Sequence, residues 1–471
     1  MAWSYDLLPA PDRVLFARLS VFSGGFDLAA AEAVCAGDGI GETDVVDLIA
    51  ELVDKSMVVA KPEGPETRFR VLEILRQFGE ERLGEREDPR SLEDRHLDYY
   101  LSLVERAHVE RMSPRQIETD AWFDREWDNI RAAHARAISS GNTDAANRLV
   151  LATVFHAQDR LRHEHRAWAD RTVALAERSG GCPASTYAVA AMWSFVSADP
   201  ARTVELAAKG VEHNPSDPAL ALCYSWLVYG LGALGRFDEA IEAFGRLRLA
   251  YDKTDDPFVQ YVAMMTIVDA QEGMAGGEAD IAAFAELCER IGGPTELAKA
   301  KEAVAIQKLF ADDPPDYEGA TAAFTDMIEI TGLADLTGLG AWGRAGTAAA
   351  AVMRRSPDAS HAVLDALTAS YDGRYWLVLV HDLEIAALHL AQSGRAEEAA
   401  TILGHLELEP PLLLPTLQIR ERTLAALDRA PAIDAWKARG AALSRPAVVA
   451  YAMDELSDSE AGAVGPGADG R

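Results

Sequence analysis

The chain has 471 residues, enough for more than one domain with a sizeable core. Only 7% of the residues are aromatic and alanine is abundant, a composition that favours closely packed helices over an extended sheet. With 45 Lys and Arg against 75 Asp and Glu, the net charge of −30 disfavours a basic nucleic-acid-binding protein, because such proteins bind by neutralising phosphates.

The N-terminal segment is predicted to begin with three short helices. Apolar residues at helical spacing between positions 7 and 22 predict the first, which ends at the Ser-Gly-Gly of 23–25. Residues 28–35 predict a second helix, and glycines soon after it end it. Thr43 is placed to cap a third helix, whose apolar face runs from residue 45 to residue 53.

A hairpin and a closing helix are predicted next. Residues 56–60 predict a short strand, 62–65 a turn that contains two prolines, and 67–71 a return strand. Residues 72–83 predict a last helix. Three helices, a two-stranded wing and a closing helix describe a winged-helix fold, which we assign to residues 1–86.

Short motifs recur in this segment: WSYDLL at 3–8, LSVF at 19–22 with GGF at 24–26, LVDKS at 52–56, and FRVLE at 69–73 with RQF at 76–78. Their order and spacing resemble the winged helix of bacterial STAND-type ATPases, the large LuxR-type and adenylate-cyclase-linked regulators. In that family the segment lies between an NB-ARC-like nucleotide domain and a helical-repeat sensor. The resemblance implies a winged helix that packs on a nucleotide domain.

The third helix would read the bases if this winged helix bound DNA. It carries the carboxylates of Asp44, Asp47, Glu51 and Asp54, and one cation, Lys55, at its end. Residues 1–90 contain 10 Lys and Arg against 18 Asp and Glu. Because this charge repels a phosphate backbone, we expect the module to contact protein and not to read DNA directly.

Residues 87–455 predict one helix after another. Apolar residues recur on one side of each helix, as at positions 92, 96, 99 and 103. Polar breaks separate the helices at 180–181, 214–215, 255–257, 292–294, 312–315 and 410–411. Within this region, EWDNIRAA at 126–133 resembles the segment that joins the winged helix to the repeats in the same regulators.

A tetratricopeptide-like pattern marks the repeats. Its strongest copy has a turn glycine at 235, followed by Phe237, Ala240 and Phe244. We expect the small Ala240 to let two helices approach and the two rings to fill the space beside the next hairpin. Further copies, at steps of 37 to 42 residues, centre on Ala282, on Ala320 between Tyr317 and Phe324, on Ala362, and on Ala399 between Gly394 and Leu403.

Stacked hairpins bury apolar faces that a single hairpin leaves exposed. The predicted fold is therefore mainly α, an N-terminal winged helix followed by a TPR-like α-superhelix, or α-solenoid, with a concave wall. Such a wall binds a protein surface, a peptide or a small effector. We expect most tryptophans of this region to lie in its core: Trp122, Trp127, Trp168, Trp193, Trp226, Trp342 and Trp376.

The end of the chain is predicted to lose its structure. Residues 432–443 and 448–453 look like the last helices before the DNA-binding helix-turn-helix of LuxR-type regulators. The following residues are small and acidic, so 456–471 are predicted to form a disordered tail, and we expect no reader domain of that family in these residues.

No catalytic, cofactor-binding or metal-binding residue is predicted, and we do not expect an enzyme. The sequence contains none of the motifs GxxxxGK[ST], HExxH and GxSxG. His163, Glu164 and His165 lack a further ligand at helical spacing, so we expect polar side chains at the protein surface there. His381 and His389 lie two helical turns apart, too far for one metal ion unless another chain joins.

Four cysteines, at positions 35, 182, 223 and 288, form no CxxC pair. They predict buried thiols and neither a disulfide framework nor a zinc knuckle. Neither a signal peptide nor a run of eighteen uncharged apolar residues is recognised, so we expect a cytoplasmic protein without a membrane partner.

These patterns favour a non-catalytic regulatory module whose repeats sense a protein, a peptide or a small effector. Its partner could be a separately encoded nucleotide-switch ATPase domain. Three alternatives stay open: a transcription factor that uses its own winged helix, an ATPase, and a plain repeat scaffold.

Overall fold

The computed structural model describes residues 5–63, 66–86, 88–271, 276–408, 414–428, 430 and 432–463. Throughout these residues the fold is mainly α, with one two-stranded antiparallel sheet. The chain divides into two compact units, Met1–Arg111 with Arg115–Val189, and Met112–Pro114 with Ala190–Arg471. The first unit thus contains more than the winged helix that the sequence predicted for residues 1–86.

The first unit starts with the predicted order of three helices, a hairpin and a helix. Their bounds are α1 (Ala10–Leu19), α2 (Leu28–Cys35), α3 (Val45–Asp54), β1 (Val59–Glu63), β2 (Glu66–Arg70) and α4 (Glu73–Arg86). The two strands pair in register from Val59 opposite Arg70 to Glu63 opposite Glu66. Helix α1 packs on α3 and α4, which encloses a core of aliphatic and aromatic side chains.

The predicted cap of the third helix is wrong. Helix α3 begins at Val45 after a 3-10 turn, Glu42–Asp44, which includes Thr43. Asp44 occupies the N-cap and makes no side-chain cap. Its carboxylate instead accepts a hydrogen bond from the Gly41 amide at 3.2 Å, inside the turn. The extra turn places Thr43 too early to cap α3.

The first strand begins three residues later than predicted. The amides of Met57 and Val58 donate to the carbonyl of Leu52 at 2.8 and 3.2 Å and so close the end of α3. Ser56 adopts a left-handed φ of 57° there, which a strand does not allow. The strand continues through Pro62, which we had placed in the turn, and residues 64–65 lie outside the described part.

Long helices complete the first unit and lead into the second. They are α5 (Pro89–Arg111), α6 (Gln116–Ser140), α7 (Thr143–Asp159), α8 (Glu164–Arg178) and α9 (Ala184–Val196). Each of α6, α7 and α8 packs on the helix before it. Gly141 ends α6 in the left-handed conformation that glycine adopts without strain, and the Asn142 side chain caps α7 by accepting from the Ala145 amide.

The second unit is built from consecutive helices that pack on one another. They are α10 (Pro200–His213), α11 (Leu220–Ala233), α12 (Phe237–Tyr251), α13 (Pro257–Asp269), α14 (Glu278–Ile291), α15 (Pro294–Ile306), α16 (Tyr317–Leu333), α17 (Thr337–Met353), α18 (Ala359–Asp372), α19 (Trp376–Gln392), α20 (Ala396–Leu406), α21 (Leu414–Leu427), α22 (Ile433–Ala441) and α23 (Arg445–Ala463). A π-helical turn, Gln307–Ala311, extends α15.

The predicted breaks coincide with helix ends in the described residues. Asp256 caps α13 by accepting from the amides of Phe258 and Val259, and Pro257 occupies the first helical position. Gly292 ends α14 with a φ of 74° and Pro294 starts α15. The predicted break at 410–411 lies outside the described residues.

The repeat pattern is confirmed at two copies. Ala320 and Phe324 are buried on α16, and Ala399 and Leu403 are buried on α20, where Gly394 supplies the turn with a φ of 80°. These four side chains belong to the core of the second unit. In these two helices, the packed face is therefore correctly predicted by a small residue followed four positions later by a large one.

The structure contradicts the copy with the most complete pattern. Phe237 is 58% exposed, and Phe244 and Ala240 are only half-buried. The buried face of α12 carries Ala243 and Leu247 instead, because that is the side on which α12 packs against α11. The weaker copy at residue 282 fails in the same way, since that alanine is exposed.

The last helix runs past the predicted start of the tail. Val448, Val449, Ala452 and Leu456 are all buried, and their helical spacing carries the apolar face beyond residue 455. The helix therefore reaches Ala463, past residue 455, where the repeat region was predicted to end. Residues 464–471 lie outside the described part of the chain.

All four cysteines are buried, as predicted. Among the tryptophans, Trp127, Trp168 and Trp193 lie in the core, while Trp376 is 41% exposed. The expectation of core tryptophans therefore holds only in part.

Candidate interaction site

A buried ion pair anchors the wing to helix α6. Arg68 on β2 forms a salt bridge with Glu126 on α6, and its Nη2 also donates to Glu126 Oε2 at 3.1 Å. The same nitrogen donates to the carbonyl oxygens of Gly25 at 3.1 Å and Arg125 at 3.3 Å. Burial acts to lower the pKa of Arg68, but the hydrogen bond and charge of Glu126 raise it. The guanidinium is therefore a fixed charge in this joint.

Further polar groups complete the joint around Glu126. Tyr100 donates to Glu126 Oε2 at 3.1 Å, and Asn129 Nδ2 donates to the same oxygen at 2.9 Å. Asn129 also contacts the chain after α1: its Nδ2 donates to the Gly25 carbonyl at 2.8 Å, and its Oδ1 accepts from the Ser23 amide at 2.8 Å. Burial raises the pKa of Tyr100 well above its usual range, so Tyr100 stays a donor at neutral pH.

Aromatic rings surround the polar joint. Phe22 stacks on Phe26 with ring centroids 4.7 Å apart, and Phe26 stacks on Phe69 of the wing at 5.9 Å. His96 of α5 lies 5.6 Å from the Phe22 ring and 4.6 Å from that of Tyr100. Burial lowers the pKa of His96 to about 4, so the imidazole is neutral at pH 7. The joint is therefore enclosed by apolar surface.

Two glycines allow the backbone to approach this closely. A Cβ at Gly25 would lie 3.0 Å from the Phe69 carbonyl, and Gly25 has a φ of 146°. A Cβ at Gly24, with a φ of 85°, would lie 2.8 Å from a carboxylate oxygen of Asp128. The amides and carbonyls of Phe26 and Phe69 pair with each other at 2.8 and 2.9 Å. The GGF motif is thus required where α1 leads into the joint.

The EWDNIRAA segment also faces the helices that follow. Trp127 stacks on Trp168 at 5.1 Å, and its Nε1 donates to Glu164 at 2.6 Å. Arg131 Nε donates to the other oxygen of Glu164 at 2.8 Å, and Arg162 lies 4.5 Å above the Trp127 ring. Residues 126 and 129 therefore hold the winged helix, while 127 and 131 hold α8.

The structure gives the predicted histidine candidates separate roles. His163 is exposed, whereas His165 is fully buried and its Nε2 lies 2.9 Å from Thr153 Oγ1, so the expected surface position is wrong for His165. Burial lowers its pKa to about 3. On α19, His381 Nδ1 lies 2.9 Å from Thr416 Oγ1, and His389 faces Ser360 on another helix. In the described part of the chain, no group of three or more His, Cys, Asp or Glu is placed to hold a metal ion.

A second buried charge cluster, which the sequence did not predict, joins α5, α6 and α7. Arg111 Nε donates to Asp120 at 2.8 Å, and His156 Nδ1 lies 3.2 Å from the same carboxylate. Arg111 also pairs with Asp159. Burial acts to raise the pKa of Asp120, but His156 and Arg111 hold it below its usual value. The positive charge of Arg111 and the negative charges of the aspartates in this cluster offset one another, which fits a structural role.

The cations of the winged helix are largely engaged by carboxylates. Lys55, at the end of α3, lies 3.0 Å from Asp12 and 2.8 Å from Glu51. Asp47 and Asp54 are exposed on the same helix. Further cations of the winged helix within 4 Å of a carboxylate are Arg18, Lys61, Arg68, Arg76 and Arg82. The surface that would meet a DNA backbone therefore carries exposed acidic groups, and its positive charges are largely paired with carboxylates.

Apolar side chains stand exposed on the winged helix. Leu72 is 49% exposed and Ile74 65% exposed where β2 passes into α4. Val59, at the start of β1 and opposite Arg70 in the hairpin, is also exposed. We name Val59, Leu72 and Ile74 the apolar edge of the wing. Exposed apolar groups mark a site of protein contact only where they form one patch, so these three residues are candidates for such a contact.

A cleft of about 540 Å³ opens where α1 and α4 face α5 and α6. Its lining includes Arg76, Glu80, Glu93, His96 and Arg136. Arg76 pairs with Glu80, and Arg136 lies 3.1 Å from Glu93. Because these arginines are paired with glutamates, the cleft has no surplus of positive or negative charge with which to bind a charged ligand.

Residues 8–84 match the family described as "Winged helix-turn-helix domain". The N-terminal domain is a winged helix-turn-helix domain. The "Putative HTH-type transcriptional regulator" of Mycobacterium tuberculosis H37Rv, and its counterpart in Mycobacterium bovis, are each 39% identical to this chain over 147 residues. The match covers 31% of this chain and only 16% of those regulators' length. An uncharacterized protein of Mycobacterium tuberculosis H37Rv is 44% identical over 84 residues, 18% of this chain and 21% of that protein.

One solved structure resembles nearly the whole chain. It is the crystal structure of a Signal Transduction ATPase with Numerous Domains (STAND) protein with a tetratricopeptide repeat sensor from Pyrococcus horikoshii. The likeness covers 97% of this chain and 66% of that chain, with a TM-score of 0.55 and 14% sequence identity. At this identity it establishes the fold alone, a mainly α chain with an N-terminal winged helix. Among the described residues no helix is long and apolar enough to cross a membrane.

The polar joint is what sequence reasoning missed. The sequence shows EWDNIRAA as a motif, but Arg68 pairs with Glu126 across 58 residues and Gly25 with Asn129 across 104. A usable signal was present: positions 126 and 129 share one helical face, and 127 and 131 share another. That spacing could have predicted a helix with two functional faces.

Proposed function

We propose that this chain is a non-catalytic regulatory module of a STAND-type signalling ATPase or LuxR-type regulator that acts in the cytoplasm. Its winged helix docks on a nucleotide-switch ATPase domain, and its repeats bind a protein or a small effector. The likeness to a STAND protein with a repeat sensor and the 39% identity to HTH-type regulators support this proposal.

The buried joint between the wing and α6 carries the proposal. Arg68, Glu126 and Asn129 tie the winged helix to α6 through buried and partly buried hydrogen bonds. An effector bound to the repeats can shift the state of a domain bound to the winged helix only if both sites bias one equilibrium. A rigid element between the two sites is needed for that coupling. The joint supplies such an element within the first unit.

The test is co-purification with a separately expressed phosphate-loop ATPase domain, taken from the coding sequence directly upstream where one is found there. We expect the chain to form a complex with the ATPase domain. The substitution Ile74→Glu should weaken this complex at least tenfold, because the new carboxylate at the apolar edge of the wing must lose its hydrating water on docking. Leu333→Glu, at an exposed leucine of α16, is the control and should leave the complex intact. Absence of a complex, or a complex insensitive to Ile74→Glu, contradicts the proposal.

Direct DNA reading is the second candidate, because the relatives are named HTH-type transcriptional regulators. Fluorescence anisotropy of a duplex at about 0.15 M salt tests it. The compensated cations and acidic α3 lead us to expect only weak, non-specific binding, with a Kd above about 1 μM. Saturable binding in the range of about 10⁻⁸ M would favour this candidate.

The absence of catalysis is tested on the isolated chain. We expect no release of phosphate from ATP above the uncatalysed background, because the sequence holds no phosphate-binding loop motif. Turnover of ATP by the purified chain, retained after further purification steps, would overturn the non-catalytic assignment.

A further inference from the structure

The cleft of the first unit lies between the winged helix and two of the long helices. Its walls come from α4 on one side and from α5 and α6 on the other, and residues 20, 21 and 23 after α1 also line it. Its volume of about 540 Å³ falls in the range of about 300–1,000 Å³ that small-molecule pockets occupy. We call this space the α4 cleft.

Small side chains keep the α4 cleft open. Gly79 of α4 lies against the end of α1, where a Cβ would come within 3.0 Å of the Ser20 side chain. On the opposite wall, the lining residues Ala132, Ala135 and Ser139 share one face of α6. Larger side chains on that face would fill the gap between α4 and α6. The space therefore follows from the sizes of the side chains that the sequence places there.

The lining of the α4 cleft is mainly apolar. Val21, Leu83 and Pro89 contribute to it together with Ala132 and Ala135. Leu83 is only 4% exposed, so it lies deep in the cleft. An apolar ligand that covers these side chains displaces water that they bind poorly, which favours binding.

The charges along the α4 cleft disfavour a charged ligand. Arg76 pairs with Glu80, and Arg136 lies 3.1 Å from Glu93. The imidazole of His96 is neutral at pH 7, because burial lowers its pKa to about 4. A charged group that entered the cleft would lose hydrating water without meeting a surplus of opposite charge. An uncharged ligand avoids this cost.

Hydroxyl groups at the α4 cleft offer hydrogen-bond acceptors. Ser20 Oγ donates to the carbonyl of Ala17, and Ser139 Oγ donates to the carbonyl of Arg136 at 3.0 Å. Each hydroxyl has a single proton, so its oxygen can only accept a further hydrogen bond. A ligand with one N–H or O–H group matches these oxygens.

We propose that the α4 cleft binds an uncharged, mainly apolar small molecule that carries a hydrogen-bond donor. Such a ligand contacts α4 of the winged helix and α6 at once, and α6 also carries Glu126 and Asn129 of the polar joint. Its binding therefore adds contacts between the parts of the chain that the joint already holds together. The inference goes beyond the proposed function, because a ligand fills the cleft whether or not the winged helix docks on an ATPase domain.

Fluorescence titration of the full chain with phenylnaphthylamine tests the α4 cleft. This probe is uncharged, consists mainly of aromatic rings and has one N–H group. We expect saturable binding with a dissociation constant of about 1–100 μM. Ala135→Phe should weaken this binding at least tenfold, because the new ring occupies space inside the cleft.

Ala121→Phe is the matched control, since Ala121 is an exposed alanine of the same helix and does not line the cleft. It should leave the dissociation constant unchanged. Absence of saturable binding, or binding that the two substitutions alter equally, overturns the proposal.

Anilinonaphthalene sulfonate tests the requirement for an uncharged ligand. It has the same rings and N–H group as phenylnaphthylamine and adds one negative charge. We expect the binding that Ala135→Phe removes to be at least tenfold weaker for this anion than for phenylnaphthylamine. Equal affinity of the two probes for the cleft overturns the assignment of an uncharged ligand.

Discussion

Glu126 is the residue on which the joint depends. It is 3% exposed and accepts hydrogen bonds from Arg68, Tyr100 and Asn129. We expect Glu126→Gln to lower the free energy of unfolding by about 3–5 kcal/mol, because it leaves the largely buried Arg68 guanidinium without a counter-charge. Urea unfolding of the full chain measures the change.

An exposed pair provides the control for Glu126→Gln. Glu80 on α4 pairs with Arg76 and is half exposed. Glu80→Gln should cost less than about 1 kcal/mol, since water screens the pair and solvates each partner. Equal effects of the two substitutions would contradict the role of Glu126 as a buried anchor.

Asp382 on α19 should make stability depend on pH. It is fully buried, and burial raises its pKa to about 8, far above the ordinary value of 3.8. Between these values the folded chain keeps the proton and the unfolded chain has lost it. The free energy of unfolding should therefore fall by up to about 1.4 kcal/mol for each unit of rising pH, from this group alone.

Asp382→Asn removes that titration. We expect the variant to gain stability relative to the natural chain as the pH rises from 5 to 8, measured by urea unfolding at each pH. Asp326→Asn, at an exposed carboxylate of α16 paired with Lys301, should show no such trend. A constant difference between the Asp382→Asn and natural chains across this range would contradict the raised pKa.

At the scale of elements, glycines set the distance between α20 and α22. A Cβ at Gly404 would overlap the carbonyl of Lys437, and one at Gly440 would overlap the carbonyl of Thr401. We expect Gly404→Ala to cost about 1–3 kcal/mol, because a backbone atom cannot move aside as a flexible side chain can. Thermal or urea unfolding measures the loss.

Gly232 on α11 is the matched control, since a Cβ there meets no atom within 4 Å. Gly232→Ala should stabilise the chain by up to about 1 kcal/mol, because alanine restricts the unfolded backbone and suits a helix. If Gly404→Ala were also stabilising, the two helices would not approach each other as closely as described.

At the scale of the whole molecule, the two compact units should unfold in separable steps. Calorimetry of the full chain is expected to show more than one transition, because each unit has its own core. Glu126→Gln should lower the transition of the first unit and Gly404→Ala that of the second. A single transition that both substitutions shift equally would contradict the division.

The sequence by itself determined the class of fold and most element boundaries, because these depend on signals close together in the chain. Asp256 and Pro257 start α13 where predicted, and the buried Ala320 and Phe324 mark a packed helix face. The winged helix could be assigned because each of its helices and strands has its own apolar period and turn residues.

Only the tertiary structure decided which of these faces are covered and which distant groups meet. Phe237 fits the repeat pattern and yet faces outward, because burial depends on where the neighbouring helices lie. His165 was predicted at the surface and lies in the core for the same reason. Arg68 and Glu126, 58 residues apart, pair only after the wing packs on α6. Long-range pairing follows from three-dimensional packing, which local spacing does not encode.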